Sequence, residues 1–379
     1  MNKTQNRKRL NRRDFLKLSA IACVTAVGGY ALSEYAPWLD YDGQANSTLR
    51  PFEQNTTATL RMQELVRYAT LAANGHNTQP WKFVIGEGAI EIHPDYSRRL
   101  PVVDPLDREL WISLGCALEN LLVAARSVGF APEVIYPDLK DFIQIRFTKD
   151  VPDASPLFDA IPQRQTTRSE FDGRSIQAVD LDQVQTLPLE PGVSLRYMTN
   201  PTDLETMLEY VNQGNLSQYT NEAFLDELID WLRFNKKEAL ASLDGLYTRA
   251  SGNPEVPRWL GQMFVGGTKP QQQADADAAK LRSSSGGVVI ASESDDKTVW
   301  VRTGQVYERV ALKLTSLDIK SAFLNQPIEV ADLRMQFQTA IGLGSSLPQL
   351  LVRFGYAEAM PRSLRRPVDE VIVNGGIWK

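Results

Sequence analysis

Apolar side chains recur at helical spacing through residues 59–73, where Leu60, Met62, Leu65, Val66, Ala69 and Ala72 share one face. Asn74-Gly75 ends that pattern, as these residue types do at helix C-termini. The period then shortens. "WKFVIG" and "AIEIHPD" read as two strands of a hairpin turning at Glu87-Gly88. Helical spacing returns in "LGCALENLLVAARSVGF", which predicts a long helix over about 107–129 closed by Gly129. "APEVIYP" and "FIQIRFT" add two strands and complete an α+β half over 56–150.

"PDASP" breaks the pattern, and a second half runs over 155–379. "LFDAIPQRQTTRSEFDGR" predicts a helix running into a basic turn, and residues 203–250 look helical. Residues 251–273 are rich in Pro and Gly, which predicts an irregular flap; the lid-like insert as a whole spans about 225–275. "GGVVIAS" reads as a strand, "TVWVRTGQVYERVALKLTSLDI" as a long helix, "LLVRFGYA" as a strand and "RRPVDEVIV" as a tail. The stretches "ISLGCALENLLVAARSVGFAPEVI" and "VRTGQVYERVALKLTSLDIKSAFL" each hold a Gly, then a Glu, on an apolar helix leading into a strand. Two related halves packed as a pseudo-dimer would produce this repeat, and so would two amphipathic helices by chance.

The N-terminus has a different character. Lys3, Arg7, Lys8, Arg9, Arg12, Arg13 and Lys17 precede "LSAIACVTAVGGYAL", an apolar run too short and too rich in small residues for a comfortable membrane span. "NRRDFLK" (11–17) resembles a twin-arginine export signal, so residues 1–34 read as a signal with the export machinery as partner. An uncleaved membrane anchor is the alternative. Either way the protein is expected outside the cytoplasm, in the periplasm or beyond it. Residues 35–55 read as a linker.

Composition narrows the chemistry. A net charge of −5 gives no reason to expect nucleic acid. Two histidines and two cysteines nearly exclude a zinc site, and Cys23 lies in the N-terminal apolar run, which argues against a structural disulfide. No P-loop, H-E-x-x-H, C-x-x-C or G-x-S-x-G occurs, and "GEG" at 86–88 lacks the rest of a dinucleotide-binding fingerprint. The chain therefore offers no evident nucleophile, and any redox or transfer chemistry falls to a bound cofactor.

Three polar clusters suit an anionic, planar ligand. In "RQTTRSEF", Arg164, Thr166 and Arg168 alternate, so an extended turn sets two guanidinium groups and a hydroxyl on one side. "PRSLRRPVDEV" holds Arg362 and Arg365. "NGHNTQPW" concentrates side-chain amides, which donate and accept hydrogen bonds as the edge of a heteroaromatic ring requires. Solvated helix ends are the ordinary alternative for the basic runs.

"LAANGHNTQPWKF" resembles the signature that follows the first long helix in nitroreductase-fold flavoproteins. "RQTTRSEF" is similar to that family's FMN-phosphate turn, "SLRRPVDEVI" to its C-terminal Arg-x-Pro segment, and "GQVYERVALKLTSLDIKSAFLNQPIE" to the helix and loop passing flavin N5. "WLRFNKKEALASLDGL" and the doubled layout look like the Acg-type branch, in which two such halves are fused. The resemblance implies an α+β, nitroreductase-like fold of two fused halves with mixed or antiparallel sheets flanked by helices. It implies one FMN, bound by Arg164, Thr166, Arg168, Leu324, Asn325, Arg362 and Arg365 of the second half and by Asn74, Gly75, Asn77 and Gln79 of the first. No second Asn-x-Gln-Pro-Trp is present, so the symmetry-related site is expected to be empty. The implied activity is electron transfer through the flavin to a nitro, quinone or other conjugated small molecule, from an unknown donor. A flavin-holding protein with a closed lid and little turnover is the second expectation, and a purely structural protein without flavin the third.

Overall fold

The computed structural model describes residues 36, 38–54, 57–136 and 141–373. The proposed export signal lies outside them. Helix α1 (Tyr41–Ser47) precedes α2 (Ala58–Thr70), whose N-cap Thr57 accepts from Leu60 N. Strands β1 (Trp81–Gly86) and β2 (Ala89–Pro94) form the expected hairpin, pairing from Trp81↔Pro94 to Gly86↔Ala89. The apolar helix α3 (Arg108–Ser127) follows, then β3 (Phe130–Ile135) and β4 (Ile143–Lys149). All pairs are antiparallel and the order is β1-β2-β4-β3.

The second half repeats this plan. Strand β5 (Val193–Met198) is followed by the insert, then by β6 (Gly286–Ser292), the long helix α9 (Lys297–Ser316), β7 (Lys320–Phe323) and β8 (Leu347–Gly355). Its order is β5-β6-β8-β7, again antiparallel throughout. Each half is thus strand, strand, helix, strand, strand in one topology. The insert occupies the place where the first half has only a tight turn.

The insert is more regular than its composition suggests. It contains α4 (Pro201–Gln218), α5 (Glu222–Trp231), α6 (Lys236–Ser242), α7 (Arg258–Gly266) and α8 (Pro270–Arg282). The flap expected over 251–273 therefore includes one whole helix and the start of another. Pro257 and Pro270 stand at helix beginnings, where a missing N–H costs nothing, so prolines that read as breakers act as starts.

The stretch 35–55 also differs from a simple linker. Arg67 Nη1 donates to Thr48 O, and Arg50 pairs with Glu64 at 2.5 Å, fixing this segment along α2. Tyr41 packs on Tyr247, ring centres 4.4 Å apart, and its hydroxyl donates to Arg362 O.

The halves meet where α3 crosses α9. A Cβ on Gly115 would lie 2.0 Å from Val301 O, and one on Gly304 would lie 2.0 Å from Ile112 O. Only glycine lets the two backbones approach this closely. The glycines that flagged the repeat in sequence are the residues at the crossing. The second half also reaches across: Ile372, after the short helix α10 (Val368–Val371), pairs in parallel with Phe83 on the edge strand β1.

Candidate functional site

Two joined cavities lie between the halves. The larger encloses about 980 Å³ including its mouth, the smaller about 660 Å³, and Ala73, Asn74 and Arg168 border both. The floor of the larger is the α3 face at Ile112, Ser113 and Cys116, with Tyr307 of α9 and Phe323 of β7 alongside. Its roof comes from the insert: Asn215 and Gln218 of α4, Tyr219, then Phe224 and Leu228 of α5.

The smaller cavity is a basic socket. Arg164, Thr166, Arg168, Arg362 and Arg365 line it, and no lining residue is acidic. The local fold explains the alternation seen in sequence. Thr166 forms a parallel bridge to Ser321 on the edge strand β7, and Thr167 N donates to Ser321 O. That extended backbone sends Arg164 and Arg168 to one side and buries Thr167 on the other.

The guanidinium groups differ in what holds them. Buried Arg164 lies 2.9 Å from Glu308 Oε1 and donates from Nη2 to Leu71 O. Burial is the largest influence and opposes its charge, but Glu308, Tyr307 and Cys116 together outweigh burial and keep its pKa above the usual arginine value. Arg362 donates to the carbonyls of Gln163 and Arg164; burial and then Arg164 lower its pKa. Arg365 donates to the carbonyls of Thr70, Leu71 and Ala72 and, at 2.5 Å, to Asn77 Oδ1. Its pKa is pushed down to about 9, by burial first and by Arg164 second. Arg168 makes no hydrogen bond or ion pair among the described residues, and burial lowers its pKa. Four cations thus crowd around one carboxylate, a charge balance that calls for an anionic ligand with several acceptor oxygens.

Not every expected residue reaches the cavities. Asn74 and Gly75 line the larger one with Asn325. Asn77 borders the smaller, but its amide nitrogen is spent on Gly245 O and Leu364 O and its oxygen on Arg365. Gln79 lies fully buried, donating to Leu243 O and accepting from Arg366 N. Leu324 packs in the second core with Val289 and Leu351. Asn77, Gln79 and Leu324 brace the fold through these contacts, and of the three expected cofactor ligands Gln79 and Leu324 border neither cavity. The reason lies in the backbone: His76, Asn77 and Gln79 adopt φ of 47°, 54° and 53°, a left-handed path that turns both amides toward the second half.

Other residues at the site were not singled out as ligands. Glu308 is the counter-charge of Arg164 and accepts from Ala73 N, so it ties both halves to one carboxylate. Its signal in sequence was the glutamate of the repeat. Glu109 and Glu329 border the larger cavity; burial, then Glu329, pushes Glu109 up to about 8, and burial raises Glu329 as well. His76 also borders it, held neutral by burial and then by Arg168, with its pKa near 4. His76 Nδ1 and Gln326 Oε1 are buried there without hydrogen-bond partners, so the cavity holds polar atoms that a ligand or water must satisfy.

The symmetry-related ground is filled. Where Arg164 meets Glu308 on one side, Glu119 on the other is bound by Arg309, which also pairs with Glu190 at 2.8 Å. Tyr136 closes over Gln305.

No family model matches the chain. It is similar to a Mycobacterium tuberculosis protein provisionally named NAD(P)H nitroreductase Rv3131, 27% identical over 323 residues, covering 82% of this chain and 90% of that protein. It is also similar to the protein of that organism provisionally named NAD(P)H nitroreductase acg, 24% identical over 328 residues, covering 82% and 94%. Among solved structures, the FMN-dependent nitroreductase NfnB of Mycobacterium smegmatis in complex with NADPH aligns at a TM-score of 0.40 and 13% identity, covering 57% of this chain and 96% of that one. A Bacteroides fragilis nitroreductase with bound FMN aligns at 0.32 and 15%, covering 60% and 98%. Likeness this distant does not decide what the cavities bind; their charge and shape bear on that directly.

Proposed function

We propose that the chain is an FMN-binding oxidoreductase of the nitroreductase type, built as two fused halves around a single flavin. The observation that carries this reading is the socket of Arg164, Arg168, Arg362 and Arg365 opening into a larger cavity lined with unsatisfied polar atoms. A flavin mononucleotide has the matching shape, a phosphate monoester at one end and a hydrogen-bonding planar ring at the other. Bound there, it would supply hydride and electron transfer to a nitro, quinone or other conjugated acceptor.

The chain's own residues hold and shield the group. Arg168, free of other partners among the described residues, and the hydroxyl of Thr166 offer donors to phosphate or ribityl oxygens, and Arg362 adds charge. Asn74 and Asn325 border the ring cavity from opposite halves, and neutral His76 adds no charge to it. The names of the mycobacterial relatives support the same class. Export by the twin-arginine route, suggested by "NRRDFLK", fits a protein that carries its cofactor through folded. The test is an absorbance spectrum of the purified protein with and without reductant, together with FMN titration. A colourless protein that FMN neither binds nor stabilises overturns the reading.

The insert favours a second reading, a flavin-holding protein with little turnover, because its helices roof the ring cavity. Anaerobic reduction separates the two. Bleaching by NADH or NADPH favours the enzyme, and bleaching by dithionite alone favours the holder.

A further inference from the structure

We propose that the wall of the larger cavity beneath the insert is a recognition site for an organic cation, an amidinium or ammonium group carried on a flat aromatic molecule, and that the electron acceptor belongs to this class. The acceptor's role rests on the flavin reading; the cation site does not. Glu109 of α3 and Glu329 of the helical turn Gln326–Glu329 border the larger cavity, and neither borders the basic socket. Glu109 is 8% exposed. One of its carboxylate oxygens accepts from Arg108 Nη2 at 2.9 Å, and the other accepts no hydrogen bond among the described residues. Gln218 Nε2 donates to one oxygen of Glu329 at 2.6 Å and likewise leaves the second. Gln326 Oε1 is buried in the same wall without a partner, while its Nε2 donates to Asn215 and Asp277 and fixes the amide with that oxygen as its open end. The wall thus presents three acceptor oxygens to which no described residue donates, and a buried acceptor of this kind calls for a donor from the ligand.

The charge points the same way. Behind the wall, buried Asp104 accepts from Leu110 N, and buried Glu227 accepts from Val102 N and Val103 N. Arg108 is the guanidinium set among these groups, and it donates also to Gln349 O. Four carboxylates therefore share one guanidinium, the inverse of the socket. In the empty cavity protons make up the deficit: burial, then Glu329, pushes Glu109 up to about 8, and burial raises Asp104 and Glu329 as well. A cation with N–H donors supplies the missing charge and satisfies the open oxygens together. Two observations select an organic cation over a metal ion. Among the described residues no three His, Cys, Asp or Glu side chains are arranged to hold a metal. The rest of the wall is apolar and aromatic: Leu100, Val103 and Phe224 pack together with Tyr219, whose ring centre lies 5.9 Å from that of Phe224. A flat cation stacks on such a surface.

The test is a calorimetric titration of the oxidised protein, purified with its flavin, using three flat nitroaromatics of one shape: para-nitrobenzamidine, a cation, para-nitrobenzamide, neutral, and para-nitrobenzoate, an anion. The amidine should bind tighter than either analogue by roughly tenfold or more, the worth of one charged hydrogen bond. Glu109→Gln with Glu329→Gln should erase that preference while the variant keeps its FMN and its affinity for the amide. Anaerobically reduced protein should be reoxidised at lower concentrations of the amidine than of the amide; equal concentrations overturn the acceptor's membership of the class. Equal binding of all three molecules to the unaltered protein overturns the cation site, and so does a preference that survives in the double variant. A double variant that folds but loses FMN also overturns it, because the carboxylates then belong to the hold on the cofactor. The absorbance spectrum of the same sample keeps the two readings apart. A colourless protein that prefers the amidine overturns the flavin and the acceptor role and retains the cation site, whereas a yellow protein without the preference overturns the cation site alone.

Discussion

At the scale of single residues, the site separates groups left open to the cavity from groups spent on bracing, although all of them read alike as polar letters. Arg168 and Arg365 are the clearest pair. Arg168 has no partner among the described residues, so Arg168→Ala should weaken FMN binding by about 1–3 kcal/mol in a titration while leaving the apoprotein's melt nearly unchanged. Arg365 satisfies three carbonyls at the end of α2, so Arg365→Ala should lower the melting temperature of the apoprotein as well. Sequence spacing marked both arginines as cationic and close to the ligand. It could not tell that Arg365 is spent and Arg168 is not, because the bonds of Arg365 run to carbonyls nearly three hundred positions away. Glu109 gives a pH signature. Its carboxyl titrates from 4.5 in the free chain to about 8 in the fold, raised by burial and then by Glu329, so the folded state binds the extra proton in that window. Stability from this group is complete below pH 4.5 and declines as pH rises toward 8; denaturant midpoints measured across that range should show the fall, and Glu109→Gln should flatten it.

At the scale of elements, helices and strands follow the hydrophobic pattern closely wherever one face is buried. The hairpin at Glu87-Gly88, both long helices, the strands of the first sheet and the strands β6 and β8 agree with their sequence reading, whereas β5 was not read from the sequence at all. The insert was harder to read. Its helix α7 exposes the apolar residues that a periodicity argument sends inward, and prolines at helix starts read as interruptions. The left-handed turn at His76–Gln79 was also invisible, because asparagine and glutamine in a loop look the same whichever way their amides point. The crossing of α3 and α9 permits a sharp prediction. Gly304→Ala places a methyl group against the backbone of Ile112, so it should destabilise the protein by about 1–3 kcal/mol or more in chemical denaturation. Alanine at the exposed Gly266, where open space surrounds the added carbon, should cost far less.

At the scale of the whole molecule, the two sheets share a topology, and the proposed single flavin site would break that symmetry. The group of Arg309, Glu119 and Glu190 occupies the other position with paired charge. Titration with FMN followed by absorbance or calorimetry should therefore saturate at one equivalent per chain. Loss of the ion pairs through Arg309→Ala should leave that stoichiometry at one, because the socket arginines have no counterparts there.

The C-terminal tail, through Ile372 on β1 and Arg366 on Gln79, ties the second half to the first, and the glycine crossing binds them again at the centre. A cofactor site shared between separate subunits is subject to mass action, and dilution empties it. Here both walls belong to one polypeptide, so assembly of the site is a folding event whose equilibrium carries no concentration term. The dissociation constant for FMN should accordingly be the same at nanomolar and micromolar protein.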